Sequence, residues 1–239
     1  GSRFLSNLPA NTVPEGTYTV LYKGDGDIQY MNDASLVEHK PGVDLINIAA
    51  GQDGLLNASL LITRSNPQNY VRNIRILPPG GICANNPFQR VTSANQCSGN
   101  YLSFAENYAS IIFNPDFMNF MKDFRAVRFM NMSGVTRSPV RTWEQRNQVS
   151  KATWGGKEGT RGVPLEIQVE LANRLNLDPW FTLPHEADDN FVRQYALYVK
   201  QHLNSNLKPH IEYSNETWNT IFTQGNYMID MGMRLGLDT

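Results

Sequence analysis

The run Glu212-Tyr213-Ser214-Asn215-Glu216-Thr217-Trp218-Asn219 brings carboxylates, carboxamides and an indole together in one short stretch. Upstream, Arg128 sits in the short apolar run Ala126 to Met130, and His185 follows Trp180 to Leu183 with Glu186, Asp188 and Asp189 behind it. These side-chain types suit sugar chemistry. A carboxyl group can protonate a leaving glycosidic oxygen, Asn can bond a sugar hydroxyl, and an indole face can stack on a pyranose ring. Plainer readings stand beside this one. Glu216 can be a helix-start carboxylate favoured by the helix dipole. Arg128 can belong to a buried ion pair. His185 with its acidic neighbours can hold a metal, although a helix-capping cluster is the preferred reading of those residues. Trp143 and Trp154 can line a cleft or pin their loop.

The elements that must position these residues change character along the chain. Residues 1–69 read as a β-rich, sandwich-like segment. Thr17 to Tyr22 is dense in β-branched and aromatic residues and ends at Gly24-Asp25-Gly26-Asp27, a turn signal. Ile28 to Met31, Val43 to Ala50 and Leu55 to Thr63 are further strand candidates between Asn, Gly and Asp clusters. Over residues 70–239 strands alternate with helices. Strands are expected near 71–77, 126–130, 180–183 and 209–213. Phe117, Phe120, Met121 and Phe124 recur at helical spacing, as do Leu165, Val169 and Ala172 after Pro164, and Phe191, Tyr195 and Val199 after Asp188 and Asp189. The tail from Thr217 again reads as helix.

That alternation predicts an α/β fold with a parallel sheet. Four β/α units amount to the first half of a TIM-type (β/α)8 barrel, which needs about 250 residues in full. An open doubly wound sheet is the alternative, but no Gly-x-Gly-x-x-Gly follows the first strand. In either architecture functional residues collect at the C-terminal strand ends, where Arg128, His185 and the 212–219 run fall.

The sequence has 239 residues, of which 41% are hydrophobic and 10% aromatic, and a formal net charge of −1. Disorder is excluded by the aromatic content, and the charge balance argues against a non-specific nucleic-acid partner. No apolar run approaches the roughly 20 residues of a membrane span. Cys83 and Cys97 lie in a loop rich in Asn, Ser, Gly and Pro. Two thiols make a poor zinc site. They can be free and buried, but a disulfide is preferred because a short polar loop has little else to order it. Sequons at Asn57, Asn131 and Asn215 permit export. Together these features point to an extracellular or cell-surface protein.

The run Ile211 to Asn219 resembles the fourth-strand Asn-Glu motif of clan A glycoside hydrolases, the retaining (β/α)8-barrel enzymes. It is closest to a group of secreted bacterial cellulase-like or cellulose-binding proteins with Glu-Tyr-Ser-Asn-Glu-x-Trp-Asn. The resemblance extends through Pro179-Trp180-Phe181, Pro184-His185, Arg128-Phe129-Met130, Arg72-Asn73-Ile74-Arg75 and the cysteine loop, so it covers most of residues 70–220. It implies that Glu216 is the general acid/base and that Asn215 contacts a sugar 2-hydroxyl. It further implies that Arg128 supports the catalytic carboxylates, that His185 lines the cleft and that Trp218 stacks or backs the site.

The resemblance implies hydrolysis of a β-linked polysaccharide with retention, and no metal or organic cofactor. Retention needs a second carboxyl group about 5–5.5 Å from the first, which clan A enzymes take from the seventh strand. Glu212 lies roughly 13 Å from Glu216 along an extended strand, so it is a poor substitute; Glu186 is a conceivable one. The chain therefore reads as a fragment whose barrel is completed by further sequence or a partner subunit. The alternative is an inactive extracellular protein that binds glycan or builds an assembly. A metal-dependent hydrolase using His185 ranks third.

Overall fold

The computed structural model describes residues 1–151, 154 and 161–237. The protein is mixed α/β and strand-rich, with several small sheets, and divides into two compact units, Gly1–Phe120 and Met121–Thr239. The boundary expected at residues 69/70 thus falls inside the first unit.

In the first unit, seven strands run β1 (Ser2–Pro9), β2 (Gly16–Lys23), β3 (Gly26–Asn32), β4 (Ala34–Lys40), β5 (Val43–Ile48), β6 (Leu55–Ser65) and β7 (Arg72–Leu77). They form two antiparallel sheets, ordered β1-β6-β3 and β4-β5-β2-β7. Period-two alternation explains them. In β2, Tyr18, Val20 and Tyr22 are buried while the residues between them are not. Tyr18, Val20, Ala34, Ile46 and Ile48 from one sheet join Tyr30, Leu56, Ala58 and Leu60 from the other in a single core cluster, the arrangement of two sheets packed face to face. Asp44, only 1% exposed within this core, accepts the Tyr30 hydroxyl at 2.6 Å and meets His39 Nδ1 at 2.6 Å. Its buried charge is thereby partnered.

The strand expected over 71–77 forms as β7, but it does not start the parallel sheet. It pairs antiparallel with β2, and Ile74 and Ile76 pack on the sandwich core. The reason is legible in Arg-Asn-Ile-Arg-Ile-Leu: alternating polar and apolar residues give one buried face, whereas a parallel strand covered on both sides needs a continuous apolar run.

Beyond β7 a three-stranded antiparallel sheet forms from β8 (Gly81–Cys83), β9 (Asn86–Val91) and β10 (Tyr101–Ser103), in the order β10-β8-β9. Gly80, at φ +87°, and Gly81 make this possible, because a Cβ on Gly80 would lie 2.5 Å from the Val91 carbonyl oxygen and one on Gly81 would lie 2.1 Å from that of Leu102. Cys83 and Cys97 are joined in a disulfide with their Cα atoms 5.4 Å apart. Two short helices follow, α1 (Phe104–Asn107) and α2 (Pro115–Met121). In α2 the buried residues are Pro115 and Met118, while Phe117 and Phe120 are exposed and Phe124 lies past its end. The aromatic spacing therefore located this helix but not its buried face.

In the second unit, β11 (Ala126–Arg128), β12 (Asp178–Leu183) and β13 (His210–Tyr213) form a parallel sheet in chain order. The helix α3 (Leu165–Leu175) precedes β12, α4 (Asp189–His202) connects β12 to β13, and α5 (Thr223–Arg234) follows β13. Pro164 opens α3 and Asn176, at φ +53°, closes it in the left-handed region. Asp188 caps α4 by accepting the Phe191 amide at 2.6 Å, so the acidic residues after His185 include the expected helix cap. Behind the sheet Phe129 stacks on Phe181 at 5.6 Å, and Phe181 meets Tyr195 of α4 edge-on at 5.6 Å. Among the described residues no helix is long and apolar enough to cross a membrane.

Candidate functional site

Strand register decides which side chains share a face. Arg128, Trp180 and His210 are aligned across β11, β12 and β13, and Glu212 is aligned with Thr182, two residues further along. Since side chains two apart point the same way, Arg128, Trp180, Thr182, His210 and Glu212 occupy one face. Phe181 and Leu183 occupy the other, towards the buried core.

On the first face, Arg128 makes a forked bond to Glu212, from Nε to Oε2 at 3.0 Å and from Nη2 to Oε1 at 2.9 Å. Its Nη2 also donates to Asn215 Oδ1 at 3.0 Å. The guanidinium lies 5.4 Å from the centroid of the Trp180 ring, which is 41% exposed. Asn215 itself is buried, and its carbonyl accepts Gln224 Nε2 at 2.8 Å. Gln224, fully buried, also accepts the Arg137 amide at 3.4 Å. Asn215 is thus gripped through its side chain and its backbone.

The chain leaves β13 by an unusual turn. Ser214 has φ +57° and Glu216 φ +45°, two non-glycine residues in the left-handed region on either side of Asn215. Such geometry costs about 1–2 kcal/mol per residue and persists where surrounding contacts enforce it. The contacts here are the Ser214 amide on the Leu183 carbonyl at 2.9 Å and the Asn219 amide on the Glu216 carbonyl at 2.9 Å. Asn219 Nδ2 also donates to Glu216 Oε2 at 3.0 Å. Gly225 closes the loop from α5, since a Cβ there would lie 2.2 Å from the Asn219 carbonyl oxygen. Trp218 projects from the loop and is 80% exposed.

His185 is enclosed. Its ring packs edge-on against Tyr227 at 5.2 Å, Nε2 lies 3.7 Å from Glu186 Oε1, and Nδ1 is buried with no hydrogen-bond partner among the described residues. Burial pushes its pKa below the ordinary 6.5; Arg141 pushes the same way, and Glu186 opposes them. Glu186 is itself ion-paired with Arg141. Tyr213 donates to the His185 carbonyl at 2.6 Å, and burial raises its own pKa. Trp143 packs on Phe191 at 5.7 Å and under the Arg146 guanidinium at 4.1 Å, which pins its loop to α4.

The structure therefore brings Arg128 and Asn215 into direct contact and sets Glu216 next in the chain, with Trp218 at the surface. His185 stands apart, enclosed beside Glu186 and Tyr227. Sequence reasoning passed over Glu212 as a partner for Arg128, although the two strands place both residues on one face. It also passed over Gln224, for which no local signal exists, because a buried Gln in a helix looks like any polar helix residue. Among the described residues no group of three metal-ligating side chains is assembled. Comparison with known protein families, curated proteins and solved structures finds no match to this chain.

Proposed function

We infer that the second unit is a glycoside hydrolase-like module of an extracellular protein and that it engages a β-linked polysaccharide at the C-terminal ends of β11, β12 and β13. In this reading the parallel sheet and its helices are part of a (β/α)8-type barrel. The observation that carries it is the convergence of Arg128 on both Glu212 and Asn215, with the left-handed Ser214 and Glu216 bracketing Asn215. That convergence supports a preorganised polar site at strand ends, where parallel α/β folds bind their ligands. Trp180 and Trp218 offer exposed indole surface for stacking on sugar rings. Glu216 is the acid/base of the reading, and the nucleophile would come from outside this sequence. The Cys83–Cys97 disulfide fits an oxidising compartment.

A second reading, glycan binding without turnover, is favoured by one specific observation. The two carboxylates weighed as partners for Glu216, Glu212 and Glu186, are each ion-paired with an arginine, Arg128 and Arg141. One experiment separates the readings. β-1,4-linked gluco- and manno-oligosaccharides are titrated calorimetrically into the protein and into the Glu216→Gln and Trp218→Ala variants, and released reducing ends are assayed in parallel. Hydrolysis lost in Glu216→Gln supports the hydrolase. Binding weakened in Trp218→Ala, with no turnover in the unaltered protein, supports the binding protein. No binding to any oligosaccharide overturns both.

A further inference from the structure

The first unit contains a cavity of about 200 Å³ between the end of β7, β9 and the segment from α1 to α2. Its lining includes Leu77, Phe104, Tyr108, Ile111 and Phe113, with one charged side chain among them, Arg90. An apolar cavity of about 150 Å³ accommodates a benzene ring, so this one has room for a single ring or a short alkyl chain.

Arg90 gives the cavity its chemistry. Its guanidinium lies 5.4 Å from the centroid of the Phe104 ring, and its Nη2 reaches Asp116 Oδ2 at 3.2 Å and Asn114 Oδ1 at 3.5 Å. Its Nη1 is buried and has no hydrogen-bond partner among the described residues. The 20% of the Arg90 side chain that stays accessible is the charged surface a ligand in the cavity meets. A second cation flanks the same cavity, because the Arg75 guanidinium sits 5.0 Å from the centroid of the Tyr108 ring. Arg90 is the charged residue of the lining, and its ion-pair partner Asp116 is 67% exposed, so solvent weakens that pair.

We propose that this cavity is a binding site for a small hydrophobic carboxylate, its aryl or alkyl end among Phe104, Tyr108, Ile111 and Phe113 and its carboxylate on Arg90. The site belongs to the first unit and does not depend on the glycan reading of the second. A neutral ligand of the same shape fills the same space but makes no ion pair with Arg90, so charge is the discriminating property.

The test titrates 3-phenylpropionate and its neutral counterpart 3-phenylpropanol into the full chain and follows backbone amide shifts by NMR. The carboxylate is expected to bind with a Kd on the order of 1 mM, with shifts confined to residues 77–91 and 104–115. The alcohol is expected to bind at least 10-fold more weakly, and Arg90→Gln to weaken the carboxylate by a similar factor. Comparing the two ligands on the unaltered protein keeps the test sound even if Arg90→Gln fails to fold. Equal affinity for acid and alcohol would mean a plain apolar cavity and overturn the proposal. So would shifts elsewhere in the chain, or none at 20-fold the expected Kd.

Discussion

Arg128 on β11 and Glu212 on β13 are joined across the intervening β12 by a two-pronged bond, Nε to Oε2 at 3.0 Å and Nη2 to Oε1 at 2.9 Å. The same guanidinium holds Asn215 at 3.0 Å. One side chain thus ties the first strand of the sheet to both the last strand and the loop beyond it. The two charged side chains are 36% and 28% exposed, so solvent screens the pair and it contributes about 1 kcal/mol rather than the several expected of a dry one. The bond to Asn215 adds about 1 kcal/mol.

Arg128→Met is therefore expected to lower urea-unfolding stability by about 1–2 kcal/mol. Arg128→Lys keeps the charge and loses the fork, so it should recover less than half of that. A double-mutant cycle with Glu212→Gln should return a coupling of about 1 kcal/mol. Strict additivity of the two single changes would mean that the fork is absent in solution.

Gln224 is the least replaceable polar residue of the loop support. It is fully buried and bridges the Asn215 carbonyl and the Arg137 amide. Gln224→Leu preserves volume but strands both backbone groups, at about 1–3 kcal/mol. Unfolding of this variant in urea should be displaced by that amount. If the second unit binds glycan as proposed, that binding should fall with it, since the Asn215 backbone loses its anchor. A variant as stable as the parent would show that the two backbone groups find other partners.

The readable parts of the fold were those with short-range causes. The strand at Thr17 to Tyr22 followed from its dense β-branched and aromatic residues and that at Leu55 to Thr63 from the turn residues that bound it, α4 followed from Asp188 and the Phe191, Tyr195, Val199 spacing, and the disulfide from a polar loop in need of a tie. What eluded the sequence were pairings between distant segments. Ser2–Pro9 and Ala34–Lys40 became strands although neither shows strict alternation, because β6 and β5 supply their hydrogen-bond partners. The parallel role expected of 71–77 failed because the strand's alternating pattern suited the edge of a sandwich, as its pairing with β2 shows. At the candidate site the types and positions of Arg128, Asn215 and Glu216 were legible. The contact of Arg128 with Glu212 was not, since it depends on register across three strands. The left-handed turn at Ser214 and Glu216 was also hidden, because neither residue type announces positive φ.

His185 ties stability to pH. Burial lowers its folded-state pKa below the ordinary 6.5, so the folded chain resists a proton that the unfolded chain accepts. Stability from this group is then fully present above pH 6.5 and declines as pH falls from there towards the folded value. The groups beside the ring are Glu186, Arg141 and Tyr227, with Tyr213 on its carbonyl. Urea midpoints at pH 7.5 and 5.5 should differ more for the unaltered chain than for His185→Asn, which cannot take up that proton. Equal differences for the two proteins would locate the pH response elsewhere.

Removing the Cys83–Cys97 bond, across a sequence separation of 14, should destabilise the first unit by about 3 kcal/mol on the chain-entropy account. The double change Cys83→Ser/Cys97→Ser should show this as an earlier thermal transition. Without reductant the unaltered chain should add no mass on treatment with iodoacetamide. An alkylated native protein would mean that the thiols are free.

The turn at Ser214 makes the most unusual prediction. Ser214 is fully buried, has φ +57°, and its hydroxyl has no hydrogen-bond partner among the described residues. Ser214→Gly removes a left-handed side chain and an unsatisfied hydroxyl together, each worth about 1–2 kcal/mol. Against this stands about 0.5–1 kcal/mol of added freedom in the unfolded chain. The variant is expected to be more stable than the parent by about 1–3 kcal/mol, measured by urea unfolding. Strain kept next to Asn215 and Glu216 makes sense if it aims them at a ligand, and the stabilised variant should then bind β-linked oligosaccharides more weakly. A gain in stability with binding unchanged would separate the strain from the site's function. A loss of stability would show that the Ser214 hydroxyl is satisfied in solution.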